Sequence, residues 1–228
     1  MKTNLIVGAS SGIGFALAKL LISKGETVIS ISRNKPDIES VVHYGYDVLS
    51  EDAFPDIESQ IDTLTYCPGS INLKPFRALK PQDFLHDMQL NVLGAIKCIQ
   101  KYLPNISKSE QGSVLLFSTV AVQTGMPFHA SVAASKGALE GLTRSLAAEY
   151  APKIRVNCIA PSLTDTPLAD KLTNTPEKKE AGAGRHPLRK IGEPQKIAAM
   201  AAFLQSAEAD FITGQIIKID GGLSTIKM

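Results

Sequence analysis

The chain has 228 residues, of which 44% are hydrophobic and 20% are charged, and its formal net charge is +2. This length suits one domain over residues 1–228. The lack of any basic run argues against nucleic-acid binding, and the lack of any apolar run of membrane-spanning length argues against a membrane-embedded protein. Because no signal-peptide pattern is present and the three cysteines lack metal-ligand spacing, we expect a cytoplasmic protein with reduced thiols and no metal site.

Seven short apolar runs with the length of buried strands recur along the chain, at 4–8, 27–32, 41–46, 62–67, 113–118, 154–159 and 215–220. Helical patterns with glycine or proline at their ends lie between them, at 13–24, 81–102, 131–149 and 194–205. Pro104 marks the predicted end of the second helix. This alternation indicates an α/β fold in which helices cover both faces of a parallel sheet.

The first predicted strand runs into the sequence GASSGIG, directly before a helix. In such a unit, backbone N–H groups and the positive end of the helix dipole can bind phosphate. Glycine allows both the tight turn and the close approach of a pyrophosphate. The candidate dinucleotide-binding residues are Gly8, Ser10, Ser11, Gly12, Ile13 and Gly14. The alternative is an ordinary strand-to-helix turn.

The second strand ends at Ser32 and is followed by Arg33, with no carboxylate before Asp37. Dinucleotide folds that bind NAD commonly carry an acid here for the ribose 2′-hydroxyl, whereas an arginine accommodates a 2′-phosphate. The sequence therefore favours NADP(H) over NAD(H), unless Arg33 is simply a solvated loop residue.

Residues 165–190 are the least regular part of the chain and are rich in Thr, Pro, Lys and Gly. We call residues 165–190 the lid segment, and we expect it to be a mobile surface segment that covers a substrate rather than a second domain.

Several motifs extend over most of the chain: GASSGIG (8–14), LNVLGA (90–95), FST (117–119), ASKGAL (134–139), RVNCIAPSLTDTP (155–167) and ITGQIIKIDGG (212–222). In order and approximate spacing they resemble the short-chain dehydrogenase/reductase family. The segment RHPLRKIGEP (185–194) is similar to the 3-oxoacyl-carrier-protein reductase-like branch. The resemblance implies a Rossmann fold with a doubly wound, seven-stranded parallel sheet, a nicotinamide cofactor and a homotetramer.

The resemblance also assigns roles to single residues. Asn91 matches a helix asparagine that anchors a water in the proton relay, and Thr119 falls where the family has a catalytic serine. Lys136 matches the lysine that binds the nicotinamide ribose. The other cofactor contacts that it implies are Asp47, Val48, Pro68, Gly69, Pro161, Leu163 and Thr166. Ser162 replaces the glycine that follows the family's proline.

The family's catalytic tyrosine, four residues before the lysine, is replaced by Val132. Valine cannot supply the proton that carbonyl reduction needs, and loss of a general acid typically costs about 10²–10⁴ in rate. His129 is a candidate substitute acid because imidazole titrates in the useful range. A water held by Thr119 and Lys136 is the second candidate.

Two functions follow from these residues. One is an oxidoreductase that transfers hydride between NADP(H) and a small carbonyl or alcohol substrate with an atypical proton donor. The other is an inert NADP(H)-binding protein that acts as a sensor or partner subunit. A nucleic-acid-binding regulator is disfavoured because no basic stripe is present.

Two further expectations concern the helices. The patterns at 81–103 and 131–150 are apolar on more than one face, which favours contacts with neighbouring subunits in a homotetramer. The segment between Asp47 and Gly69 is short for the family, so the helix there is expected only over about 51–60.

Overall fold

The computed structural model describes residues 1–227, in which seven strands form one parallel sheet. The strands are β1 (Thr3–Val7), β2 (Thr27–Ser32), β3 (Val42–Gly45), β4 (Thr63–Tyr66), β5 (Gly112–Phe117), β6 (Ile154–Pro161) and β7 (Ile216–Ile219). Their order across the sheet is β3-β2-β1-β4-β5-β6-β7. The chain therefore proceeds outward from β1 to one edge and returns to place β4 on the other side of β1. This confirms the predicted doubly wound, seven-stranded Rossmann fold.

The helices are α1 (Gly12–Ser23), α2 (Pro81–Met88), α3 (Gly94–Ile106), α4 (Ala121–Thr124), α5 (Ala130–Tyr150), α6 (Asp170–Thr173), α7 (Pro176–Gly184) and α8 (Pro194–Leu204). A π-helical turn over Gln89–Leu93 joins α2 to α3. Within residues 1–227, no helix is both long enough and apolar enough to cross a membrane.

Two hydrophobic cores lie on opposite faces of the sheet because successive strand residues point to opposite sides. On one face, Leu5 of β1 belongs to the same buried cluster as Tyr102 of α3. On the other face, Ile6 packs in a cluster with Leu17 of α1 and Ile197 of α8. The four strands of the centre are buried on both sides, which explains their nearly continuous apolar sequences.

The prediction of a helix over about 51–60 is wrong, because this segment is an irregular loop. Side chains of α3 donate hydrogen bonds to the backbone carbonyl groups of this loop. The Tyr102 hydroxyl donates to the Pro55 carbonyl oxygen at 2.7 Å, and the Asn105 amide donates to the Ile57 carbonyl oxygen at 2.6 Å. The loop therefore keeps its buried carbonyls paired without helical hydrogen bonds.

The helix predicted over 81–102 is also different in detail. It is divided by the π-helical turn, and α3 continues past Pro104 to Ile106 instead of ending before the proline. The lid segment (165–190) is more regular than expected, since it contains α6 and α7. An ion pair of 2.5 Å between Lys179 and Asp165 connects α7 to the start of that segment.

Candidate functional site

A cavity of about 550 Å³ opens at the carboxyl ends of the strands, around the point where the chain switches from one half of the sheet to the other. Open α/β sheets bind ligands at such switch points. The residues predicted for the site that line this cavity are Gly8, Ser10, Ser11, Gly12, Ile13, Gly14, Arg33, Asp47, Val48, Pro68, Gly69, Thr119, His129, Val132, Lys136, Pro161, Leu163 and Thr166. Asn91 lies behind the cavity wall and is fully buried.

The glycine loop between β1 and α1 forms one end of the cavity. Gly8 and Gly12 have φ angles of 84° and 57°, in the left-handed region that favours glycine. The Gly8 N–H donates to the Ile31 carbonyl oxygen at 2.8 Å, which fixes the turn against β2. In the described chain, the Ser11 side chain at the start of α1 makes no capping hydrogen bond. The first N–H groups of α1 therefore remain available for a phosphate.

Gly14 is required by the packing of this loop, because a Cβ atom there would lie 2.3 Å from the Gly8 carbonyl oxygen. We expect Gly14→Ala to lower the free energy of unfolding by about 1–3 kcal/mol and to displace the loop. The matched control is Gly141→Ala in α5, where a Cβ would meet no atom within 4 Å. That variant should gain about 0.5–1 kcal/mol from helix propensity. Urea denaturation measures both, and equal effects of the two substitutions would contradict the packing argument.

Arg33 lies at the neighbouring part of the cavity, directly after β2, with an exposed side chain. None of the ion pairs formed within residues 1–227 involves it. Asp47 lies beyond β3, where its carboxylate accepts the Leu49 N–H at 3.0 Å. This part of the cavity thus presents a cation close to the end of the second strand, as the sequence predicts.

Lys136 lines the same cavity from the second turn of α5, and only 6% of it is exposed. Burial lowers the pKa of Lys136 to about 8, and the charge of the nearby Asp87 only partly opposes this shift. The backbone of Gly69 packs on the ammonium, since a Cβ at Gly69 would lie 3.2 Å from Lys136 Nζ. Within the described residues the ammonium makes no hydrogen bond. Its three donors are thus suited to hydroxyl groups of a ligand in the cavity.

Thr119 and Val132 lie on the cavity wall with Lys136. Thr119 follows β5, and its hydroxyl accepts the Ala121 N–H at 3.3 Å. The hydroxyl of the preceding Ser118 donates to the buried Glu140 carboxylate at 2.7 Å, so its proton is already used in a hydrogen bond. Val132 lies one helical turn before Lys136 and is 5% exposed.

A buried polar network supports this wall from behind. The Asn91 amide, on the π-helical turn, donates to Ser135 Oγ at 2.9 Å and to Ser70 Oγ at 3.4 Å. The Ser70 hydroxyl in turn donates to the Asp87 carboxylate at 2.5 Å. Among the described residues, Asn91 Oδ1 and Asp87 Oδ2 have no hydrogen-bond partner. Asp87 and Ser70 were not predicted from the sequence, and the only signal for Asp87 was its position four residues before Asn91.

His129 directly precedes α5 at the rim of the cavity and is partly exposed. One ring nitrogen, Nδ1, lies 2.7 Å from the Pro127 carbonyl oxygen. The ring therefore belongs to the mouth of the cavity, with Nε2 free to contact solvent or a ligand.

A second histidine, which no sequence motif indicates, lies inside the cavity. His186 follows α7 and is 2% exposed, and its Nε2 lies 2.9 Å from Ser162 Oγ. Its Nδ1 lies 2.8 Å from the Gly182 carbonyl oxygen. Both Ser162 and His186 line the cavity. The sequence gives one sign of this pair, because Ser162 stands where the family has a glycine. No sequence pattern indicates that its hydrogen-bond partner is His186, 24 residues later.

The residues that could hold a dinucleotide form one continuous surface. The glycine loop supplies backbone donors, Arg33 supplies a cation, and Lys136 supplies buried donors. The cavity residues therefore fit a nicotinamide dinucleotide by their donor chemistry and by the close backbone approach at the glycine loop.

Comparisons with known proteins agree with this geometry. A family model described as enoyl-(acyl carrier protein) reductase matches residues 8–224. The chain is 33% identical to a 3-oxoacyl-[acyl-carrier-protein] reductase of Thermotoga maritima, and the similarity covers 97% of each chain.

Two solved structures are also similar. The aldohexose dehydrogenase of Thermoplasma acidophilum has a TM-score of 0.90 at 28% identity, covering 100% of this chain and 96% of that one. ElxO with NADP bound has a TM-score of 0.86 at 26% identity, covering 97% and 98% of the two chains.

Proposed function

Because the chain belongs to the short-chain dehydrogenase/reductase family, in its 3-oxoacyl-acyl-carrier-protein reductase-like branch, we propose that it is an oxidoreductase that interconverts a small carbonyl compound and its alcohol with NADP(H). The observation that carries this proposal is that one continuous cavity is lined by the glycine loop, Lys136 and Thr119. When bound, the reduced nicotinamide supplies a hydride to the carbonyl carbon.

The residues of this chain supply binding, orientation and proton transfer. The glycine loop binds the pyrophosphate through backbone N–H groups, and Lys136 donates to ribose hydroxyls. The Thr119 hydroxyl holds the substrate oxygen. Since Val132 has no hydroxyl, the proton reaches that oxygen by a path that does not use residue 132.

The test of this function uses the purified full chain. NADPH binding is followed by cofactor fluorescence, and NADPH consumption is measured with a panel of small ketones and 3-oxoacyl thioesters. We expect both binding and turnover. Binding without turnover of any member of the panel would reject the oxidoreductase and favour a cofactor-binding protein without catalysis.

Preference for NADP(H) is supported by Arg33, which forms no ion pair within residues 1–227, and by ElxO, a similar protein with NADP bound. We expect Arg33→Asp to weaken NADPH binding about tenfold to a hundredfold, because a charge-assisted hydrogen bond to the 2′-phosphate is lost. The new carboxylate should strengthen NADH binding by accepting the ribose 2′-hydroxyl. Arg77→Asp is the control, since Arg77 is exposed and outside the cavity lining. Tighter binding of NADH than of NADPH by the wild type would contradict the prediction.

A homotetramer is also part of the proposal. Large apolar side chains are exposed on two sides of the subunit: Leu85 and Leu93 around α2, and Phe203 and Phe211 near α8 and β7. Burial of such groups between subunits would remove apolar surface from water. Light scattering at micromolar concentration should give four times the mass of the 24.4 kDa chain. A monomeric mass would contradict this assembly.

The cytoplasm is the proposed compartment. All three thiols, Cys67, Cys98 and Cys158, are free. Burial raises the pKa of the Cys158 thiol to about 12, which keeps it in the unreactive thiol form. Free thiols of this kind are typical of proteins in a reducing environment.

A further inference from the structure

Within residues 1–227, Ser162 and His186 form a side-chain hydrogen bond between two cavity-lining residues that the family resemblance does not explain. Ser162 follows β6 and His186 follows α7, and their Oγ and Nε2 atoms are 2.9 Å apart. The histidine is 2% exposed, whereas the serine is partly exposed toward the cavity.

The hydrogen bonds of the ring define its tautomer. His186 Nδ1 lies 2.8 Å from the Gly182 carbonyl oxygen, which can only accept a hydrogen bond. Nδ1 therefore carries a proton, and Nε2 of the neutral ring is an acceptor. It follows that the Ser162 hydroxyl donates to His186 Nε2.

The pair lies next to the residue that holds the substrate oxygen. The Val120 N–H donates to the Pro161 carbonyl oxygen at 3.2 Å, so the chain after β5 is joined to the chain after β6. Thr119 and Ser162 are the immediate neighbours of these two residues, and they follow adjacent strands that lie about 5 Å apart. Both hydroxyl-bearing residues line the same cavity.

We propose that Ser162 and His186 form the proton relay of this enzyme, in place of the absent tyrosine. This proposal rests on the oxidoreductase function proposed above. In reduction, a reduced nicotinamide dinucleotide gives a hydride to the carbonyl carbon, and the electron pair of the C=O π bond moves to the oxygen. The Ser162 hydroxyl gives its proton to that oxygen and takes the Nε2 proton of the His186 imidazolium.

The relay conserves its hydrogen bonds in both directions. Reduction ends with a neutral imidazole, and oxidation of the alcohol runs the same transfers backward to the imidazolium. Nδ1 keeps its proton and its bond to the Gly182 carbonyl oxygen throughout. Only the donor between Ser162 and His186 changes, so no side chain has to move.

The charged groups around the ring come from three directions. Arg185 and Arg189 lie on its own segment, and the Arg189 guanidinium donates to the Gly184 carbonyl oxygen at 3.1 Å. Asp220 lies on the loop after β7, whose Gly221 backbone approaches the His186 ring. Lys136 lines the same cavity from α5.

The experiment compares the pH dependence of kcat for NADPH-dependent ketone reduction in the wild type and in His186→Gln and Ser162→Gly. For the wild type, kcat should fall as pH rises, because reduction consumes the protonated ring. Each variant should lose about 10²-fold in kcat and lose this dependence, while its NADPH dissociation constant stays within about twofold. The control is His43→Gln, because His43 also contacts a serine, Ser30, but lies on β3 outside the cavity lining.

A second readout does not depend on turnover. ¹⁵N NMR of the histidine-labelled wild type should show neutral His186 with the proton on Nδ1, and Ser162→Gly should shift its Nε2 resonance. A proton on Nε2 in the neutral ring would overturn the relay geometry. If the wild type reduces ketones and both variants keep its kcat and pH profile, the relay is wrong and the proposed function stands. If the wild type binds NADPH but reduces no carbonyl compound, the proposed function is wrong and the relay falls with it.

Discussion

Replacement of Val132 by tyrosine is expected to raise the rate of carbonyl reduction by about one to three orders of magnitude. Val132 lines the cavity one helical turn before Lys136, so a phenol at this position would extend toward the lysine and Thr119. The positive charge of Lys136 would lower the pKa of the phenol and make it a better proton donor. NADPH binding should persist, because residue 132 is not part of the glycine loop that would bind the pyrophosphate.

The measurement is kcat for ketone reduction by Val132→Tyr, with Val132→Phe as the matched control. Both variants introduce a ring where a smaller side chain is 95% buried, at a packing cost of about 1–3 kcal/mol if the ring does not enter the cavity. Only the tyrosine brings a hydroxyl. Equal rates for the two variants would contradict the prediction.

The Val132→Tyr variant also provides a test of the proposed relay of Ser162 and His186. If Ser162 and His186 supply the proton in the wild type, His186→Gln should cost about 10²-fold in the wild-type background but little in the Val132→Tyr background. Equal losses in both backgrounds would indicate that His186 acts on something other than the proton.

Replacement of Lys136 by methionine is expected to stabilise the fold and to abolish tight NADPH binding. The folded chain lowers the pKa of Lys136 from 10.5 to about 8, so keeping the charged ammonium buried costs folding free energy. Lys136→Met removes this cost, with a gain on the order of 1–3 kcal/mol at pH 7. The loss of the ammonium also removes the donors for the ribose.

The sign of the pH dependence follows from the lowered pKa. Below pH 8 the lysine is charged in both the folded and the unfolded chain, so the full cost is present. Between pH 8 and 10.5 the unfolded chain binds more protons, and the stability of the wild type rises relative to that of the variant. Urea denaturation from pH 7 to 10 should therefore show a shrinking advantage of Lys136→Met. Lys19→Met, at an exposed position of α1, is the control, and an equal gain there would contradict the assignment to burial.

The strands and helices of this fold were predictable because glycine and proline mark their ends. Gly25 follows α1, and Pro81 and Pro194 begin α2 and α8. The failures have tertiary causes. The loop around Pro55 is kept in an irregular conformation by a hydrogen bond from the Tyr102 side chain of α3. No local sequence pattern predicts such a contact between distant residues.

The site was predictable where its residues belong to contiguous motifs, such as the glycine loop and the helix that carries Lys136. The relay was not, because Ser162 and His186 come together only when the lid segment folds back on the end of β6. Asp87 was missed for the same reason, since its partner Ser70 lies 17 residues away on another segment.

The strand order also determines how the molecule can be assembled as it leaves the ribosome. β2 and β3 extend the sheet from β1 toward one edge, and β4 to β7 extend it one by one toward the other. Every strand therefore joins an edge that already exists when it is synthesised, and none has to insert between two paired neighbours. The wall formed by Pro161 to Thr166 is added only after six strands are made, so the cavity cannot be complete before most of the sheet has been synthesised.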